Sequence, residues 1–206
     1  MENILIVPGL YGSELQHWQT WIERKLTNTR RVEQADWDNP IFHLWADNVL
    51  KALEQQPCKS WIIAHSFGCL ISIYAAMKCP EKVAGAMLVA MANPARFNTQ
   101  GFVGNSAYLS AAGNISSQLP KHALPFPSVV IASTNDPWMS FSQAEQWADS
   151  WESRFINVGA AGHINVASGH GAWSQGLAIF NELRATQTDY LEGCILETTH
   201  LKLAHY

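Results

Sequence analysis

The stretch 62-IIAHSFGCLI-71 sets one serine, Ser66, between an apolar run and a run of small residues. Upstream, "SWII" (60–63) reads as a buried strand. Downstream, "GCLISIYAAM" (68–77) reads as a helix. Ser66 therefore stands on a sharp strand-to-helix turn. Strand and helix pack closely at such a turn, so the flanking residues have to be small. Ala64 and Gly68 meet that need, giving Ala64-His65-Ser66-Phe67-Gly68, a Gly-x-Ser-x-Gly pattern with Ala in the first glycine position. Two readings are open here: an exposed nucleophile, or an ordinary serine that N-caps the following helix.

Outward from this turn the same alternation runs through the chain. Asn3 to Val7, "RRVEQ" (30–34), "SWIIA" (60–64), "VAGAMLVA" (83–90), "PSVVIAS" (127–133) and "RFINV" (154–158) read as strands. Between them lie longer amphipathic segments. Ser13 and Gln16 form a capping-box pattern for a helix reaching about Leu26. Further helices are expected over Phe42–Gln55, Phe67–Met77, 140–151 and 173–185. Strands alternating with helices argue for about six parallel strands covered on both faces, a three-layer α/β sandwich in one domain over 1–185. Asn93 to Phe126 breaks the rhythm with Asn, Pro, Gly and Ser, and suits a cap, a lid or a long irregular connection. The tail, 186–206, has no place in the sheet and no assigned role.

The bulk numbers bound the class. Of 206 residues, 48% are hydrophobic, which suits a well-buried globular core. A net charge of −4 gives no basic footprint for nucleic acid or a polybasic membrane contact. No apolar run approaches the roughly 20 residues a membrane span needs, and "MENILIVPG" lacks a basic, then apolar, leader pattern. A cytoplasmic location is expected. Cys58, Cys69, Cys79 and Cys194 show neither metal-ligand spacing nor a Cys-x-x-Cys pair, so they read as reduced thiols. The nine tryptophans suit core packing or an aromatic-lined pocket.

A serine hydroxyl is a poor nucleophile at neutral pH and needs a base, which in turn needs an orienting carboxylate. With the nucleophile on such a turn, the chain order is Ser, then Asp or Glu, then His. "SVVIASTNDPWM" places Asp136 just after a late strand, before Pro137. "RFINVGAAGHINVASG" places His163 after the last strand, in a glycine-rich loop free to turn inwards. The competitors fit less well. His65 adjoins the serine and cannot reach its hydroxyl from the correct side. His170 suits a supporting role or a cap on the final helix, Asp149 a solvated helix face, and His17 a structural place in the first helix. An oxyanion hole needs two N–H donors. One is expected from Phe67 and one from the loop "VPGLYGS", where Gly9 permits a tight turn and Leu10 donates. Tyr11 and Trp138 are the candidate substrate contacts. A phosphate-binding loop is a poor rival, because "VPGLYGS" lacks a Walker lysine and the Gly-x-Gly-x-x-Gly pattern.

Together, "PGLYGSELQHW", "QADWDNP", "AHSFGC", "ASTNDPW" and "GHINVASGHGAWSQG" resemble the small serine hydrolases of the α/β-hydrolase superfamily, of the retinoblastoma-binding-protein type. The resemblance runs from about Asn3 to Leu183. Pro8 stands where related hydrolases often have His, and is read as stiffening the loop. The resemblance implies an α/β-hydrolase fold, no metal or organic cofactor, and a triad on Ser66, Asp136 and His163. Two functions remain in play. One is hydrolysis of a small ester or amide through an acyl-enzyme. The other is a protein-binding module on a hydrolase fold, although nothing in the sequence indicates a protein partner.

Overall fold

The computed structural model describes residues 3–104 and 113–186. The expected tail therefore lies outside the described residues, except for its first position, as does 105–112 of the 93–126 insertion. The chain divides into two compact units, 1–173 and 174–206. The first holds strands β1 (Asn3–Val7), β2 (Thr29–Arg31), β3 (Ser60–His65), β4 (Val83–Val89), β5 (Phe97–Asn98), β6 (Gly101–Phe102), β7 (Ser128–Ala132) and β8 (Arg154–Asn157). It also holds helices α1 (Trp18–Lys25), α2 (Phe42–Glu54), α3 (Phe67–Ala76) and α4 (Phe141–Ser150). In the second unit, 174–186 are helical (α5), with the Arg184 guanidinium 5.5 Å from the Phe180 ring.

Six strands form one sheet in the order β2-β1-β3-β4-β7-β8, every pair parallel. Every residue of β3, β4 and β7 is buried, as expected for parallel strands covered on both faces. The edge strands β2 and β8 are partly exposed, and β2 is wholly polar. Alternate residues serve two cores. Leu5, Val7, Ile62, Ala64, Leu88 and Val130 pack into one cluster with Val49 and Leu53 of α2, Leu70 and Ile73 of α3, and Ala144 and Ala148 of α4. On the other face lies α1, whose Gln19 amide donates to the carbonyls of Val7 at 3.2 Å and Ile63 at 3.1 Å. The α/β-hydrolase-like three-layer sandwich is thus the observed architecture.

Two local expectations need correction. The second strand ends at Arg31 instead of continuing over 30–34, although the Val32 N–H still donates to Ile6 O at 2.9 Å. An edge strand has little apolar pattern to mark its ends. The first helix starts at Trp18, and its N-cap is His17, not Ser13. The Ser13 hydroxyl is drawn instead to Gln19 Oε1 at 2.6 Å, because that amide is anchored on the sheet carbonyls.

From β1 the chain passes to β2 on one side and then to β3 on the other. Loops leaving the carboxyl ends of strands on either side of such a reversal diverge and open a crevice. The loop after β1 and the turn after β3 meet at this point.

Candidate active site

Ser66 follows β3 directly and has φ 55° and ψ −126°, a conformation costly for a residue with a Cβ. Its main chain is held by neighbours: Ser66 N–H donates to Val89 O of β4 at 3.0 Å. Crowding around the turn explains the small residues. A Cβ on Gly68 would lie 2.4 Å from Val7 O and 2.5 Å from Pro8 O, and one on Gly9 would lie 2.7 Å from Ser66 Cβ. Ala64, in the first glycine position of the pattern, is fully buried between Val7 and Leu88 with room for its methyl group. The Ser66 side chain makes no capping bond to α3. Its Oγ lies 2.9 Å from His163 Nε2 instead.

His163 arrives from the loop after β8 and Asp136 from the loop after β7. Both Asp136 carboxylate oxygens lie 2.9 Å from His163 Nδ1, and Oδ1 also accepts from the Trp138 N–H at 2.8 Å. The two loops are tied together. Gly162 N–H donates to Asn135 Oδ1 at 2.7 Å, and Ala161 N–H donates to Ser133 Oγ at 2.9 Å. Gly162 turns the chain at φ +58°, where an added Cβ would lie 2.7 Å from Ser168 Cβ. The result is an unbroken run from Asp136 through His163 to Ser66, with Ser66 and His163 only 7% and 8% exposed.

A cleft of about 270 Å³ opens on Ser66 and His163, walled by Leu10, Tyr11, Glu14, His17 and Trp138, among others. Tyr11 sits at its mouth, 70% exposed, and its N–H is taken by Trp37 O at 2.8 Å. Among the described residues the main-chain N–H groups of Leu10 and Phe67 have no acceptor, and Phe67 is the first residue of α3. Trp138 forms an aromatic wall 5.7 Å from the His163 ring. The described part of the 93–126 segment packs against it: the Phe102 ring of β6 lies 5.3 Å away and the Arg96 guanidinium 4.3 Å.

The other residues weighed on sequence take definite places. Asp149 is exposed on α4. His170 Nδ1 is 3.2 Å from Ser168 Oγ, with its ring edge-on to Trp173. His65 does not approach the Ser66 hydroxyl. Its Nε2–H donates to His163 O at 2.9 Å, linking the strand under the serine to the loop carrying the imidazole. Burial, foremost, and the neighbouring His163 hold His65 well below the usual histidine pKa, so it is a neutral strut. His17, expected to be structural within a helix, is both the N-cap of α1 and part of the cleft wall. No local sequence signal marks either role, because each depends on loops from distant parts of the chain. Among the described residues no cluster of His, Cys, Asp or Glu is arranged to hold a metal ion, and no helix is long and apolar enough to cross a membrane.

No curated protein sequence matches the chain. A YdeN-like hydrolase from Pectobacterium atrosepticum is 32% identical over 90% of this chain and 92% of its own, with a TM-score of 0.79. The ydeN gene product of B. subtilis, at 17% identity over 90% of this chain and all of its own, has a TM-score of 0.70. Est1E from Butyrivibrio proteoclasticus, whose structure holds ferulic acid, is 10% identical over 93% of this chain and 90% of its own, with a TM-score of 0.65. At those lower identities the likeness is one of fold. The model of the family described as serine hydrolase matches residues 4–182, from the first strand through the loops that bring Ser66, Asp136 and His163 together, and on that match the chain belongs to the serine hydrolase family.

Proposed function

We propose that this hydrolase is of the carboxylesterase type and cleaves a small ester or amide through an acyl-enzyme. Ser66 Oγ attacks the substrate carbonyl carbon while His163 Nε2 takes its proton. Asp136 holds the imidazole by Nδ1 and offsets the charge of the imidazolium. The oxyanion accepts from the N–H groups of Leu10 and Phe67. His163 then returns the proton to the leaving alcohol or amine, leaving an ester on Ser66. Water, deprotonated by the same imidazole, releases the acid. Tyr11 and Trp138 flank the substrate, and no cofactor takes part.

The observation that carries this reading is the continuous run Asp136–His163–Ser66, at 2.9 Å for both links, ending at an oxygen on the cleft. The two unoccupied N–H groups support it. A cytoplasmic location belongs to the same proposal, supported by the free cysteines Cys58, Cys69 and Cys79, the first of them exposed. The test is Ser66→Ala with a short p-nitrophenyl ester. We expect a loss on the order of 10³-fold or more with the melting temperature preserved. Retention of most of the activity would move the nucleophile elsewhere and end this mechanism.

A further inference from the structure

His17 is a buried polar side chain that the chemistry proposed above leaves unused. It stands at the start of α1 and lines the cleft together with Ser66 and His163. Its Nδ1 accepts from the Gln19 N–H at 3.2 Å, so the single proton of the neutral ring sits on Nε2. Burial, reinforced by the Arg31 charge, pushes its pKa down to about 3, so the ring is neutral wherever an esterase is assayed. Trp18 at 5.4 Å and His65, edge-on at 4.9 Å, fix its orientation. The residue is 2% exposed, and among the described residues Nε2 has no hydrogen-bond partner. The Nε2–H is not sealed from solvent: it faces the open cleft, where a substrate oxygen can take the place of water.

We infer that the His17 Nε2–H recognises substrate: it donates to an uncharged oxygen on the part of the ester that lies along this wall. The preferred substrates therefore carry an ether, hydroxyl or carbonyl oxygen a short distance from the scissile bond. Glu14, the one carboxylate among the described residues lining the cleft, disfavours a carboxylate as that acceptor. Trp138, on another part of the lining, takes an apolar portion instead. The inference rests on the serine-hydrolase reading.

The test uses two matched ester pairs in which one methylene is replaced by oxygen. In the first, p-nitrophenyl butyrate and p-nitrophenyl methoxyacetate, the change is in the acyl chain. In the second, butyl and 2-methoxyethyl acetate, it is in the leaving group. His17→Asn keeps an N-cap acceptor for α1 but shortens the reach into the cleft, and His17→Gln is the second variant. In at least one pair, the oxygen-to-methylene ratio of kcat/KM should fall about fivefold from wild type to variant, the size of one uncharged hydrogen bond. A purely structural role would lower both members alike and leave the ratio unmoved. Unchanged ratios in both pairs overturn the inference. If neither variant folds, wild-type rates divided by rates with hydroxide decide it, and no preference for oxygen in either pair overturns it. Wild-type protein that hydrolyses none of the four esters refutes the carboxylesterase reading instead.

Discussion

Gly68→Ala tests the crowding at the Ser66 turn most sharply. The added methyl would sit 2.4 Å from Val7 O, 2.5 Å from Pro8 O and 2.9 Å from Pro8 C. All three atoms are main chain, so no side-chain rotation relieves the overlap. An ordinary carbon–oxygen contact is about 3.3 Å or more, so α3 has to withdraw from the β1 loop by most of an ångström. Overpacking of this kind costs about 1–3 kcal/mol, and rigid neighbours put this site at the upper end. For a chain of this size about 3 kcal/mol lowers Tm by roughly 6–12 °C. The shift also carries Phe67 and Ser66 away from His163, so hydrolysis should fall by more than tenfold in protein that is still folded. Gly159→Ala is the comparison. It has φ +75° but nothing within 4 Å, so only the backbone penalty of about 1–2 kcal/mol applies and activity should survive. Differential scanning calorimetry and ester hydrolysis, run below each variant's transition, give both readouts. Gly68→Ala with wild-type Tm and full activity would refute the packing argument.

Other expectations follow from single contacts. Asp136→Asn keeps side-chain volume, but with its oxygen held on the Trp138 N–H it presents an amide donor to His163 Nδ1, favouring the wrong tautomer. The equivalent swap in a serine protease costs about 10⁴ in kcat; we expect about 10³–10⁴ here with little change in Tm, and near-neutral behaviour for Asp149→Asn. The reverse ranking by steady-state kinetics would move the acid. Stability should fall on acidification. His17 is neutral when folded, down to about pH 3, but takes up a proton near pH 6.5 when unfolded, so the unfolded state binds more protons in that window. From pH 7 to pH 5 this removes about 2 kcal/mol, and His65, also depressed, adds in the same direction. Urea titrations at the two pH values check this, and equal or greater stability at pH 5 would contradict the neutral-histidine assignment.

Where the sequence is read correctly, local chemistry suffices. Short β-branched runs bounded by turns mark β1, β3, β4 and β7 because those strands are buried on both faces. Ser66 stands out because strand and helix signals flank it within a few residues, and Asp136 because Pro137 marks the end of strand pairing. The errors are non-local. Ser13 has the right spacing for a cap, yet Gln19, fixed on two sheet carbonyls, captures its hydroxyl. The edge strand β2 carries Arg30 and Arg31, whose polarity hides where pairing stops. His65 and His17 look incidental in one dimension. Their roles exist only because the His163 loop folds back over β3 and α1 starts at the cleft.

Covalent labelling tests the central claim most directly, because it requires an activated serine and not merely a hydrolase fold. The folded wild-type protein is incubated with a fluorophosphonate, and intact mass and peptide mapping locate the adduct. One adduct per chain is predicted, on Ser66, absent in Ser66→Ala and formed far more slowly in Asp136→Asn. A folded wild-type chain that stays unlabelled, or that is labelled on another residue, would contradict the proposed mechanism, and an inert Ser66 would favour a binding role for the fold.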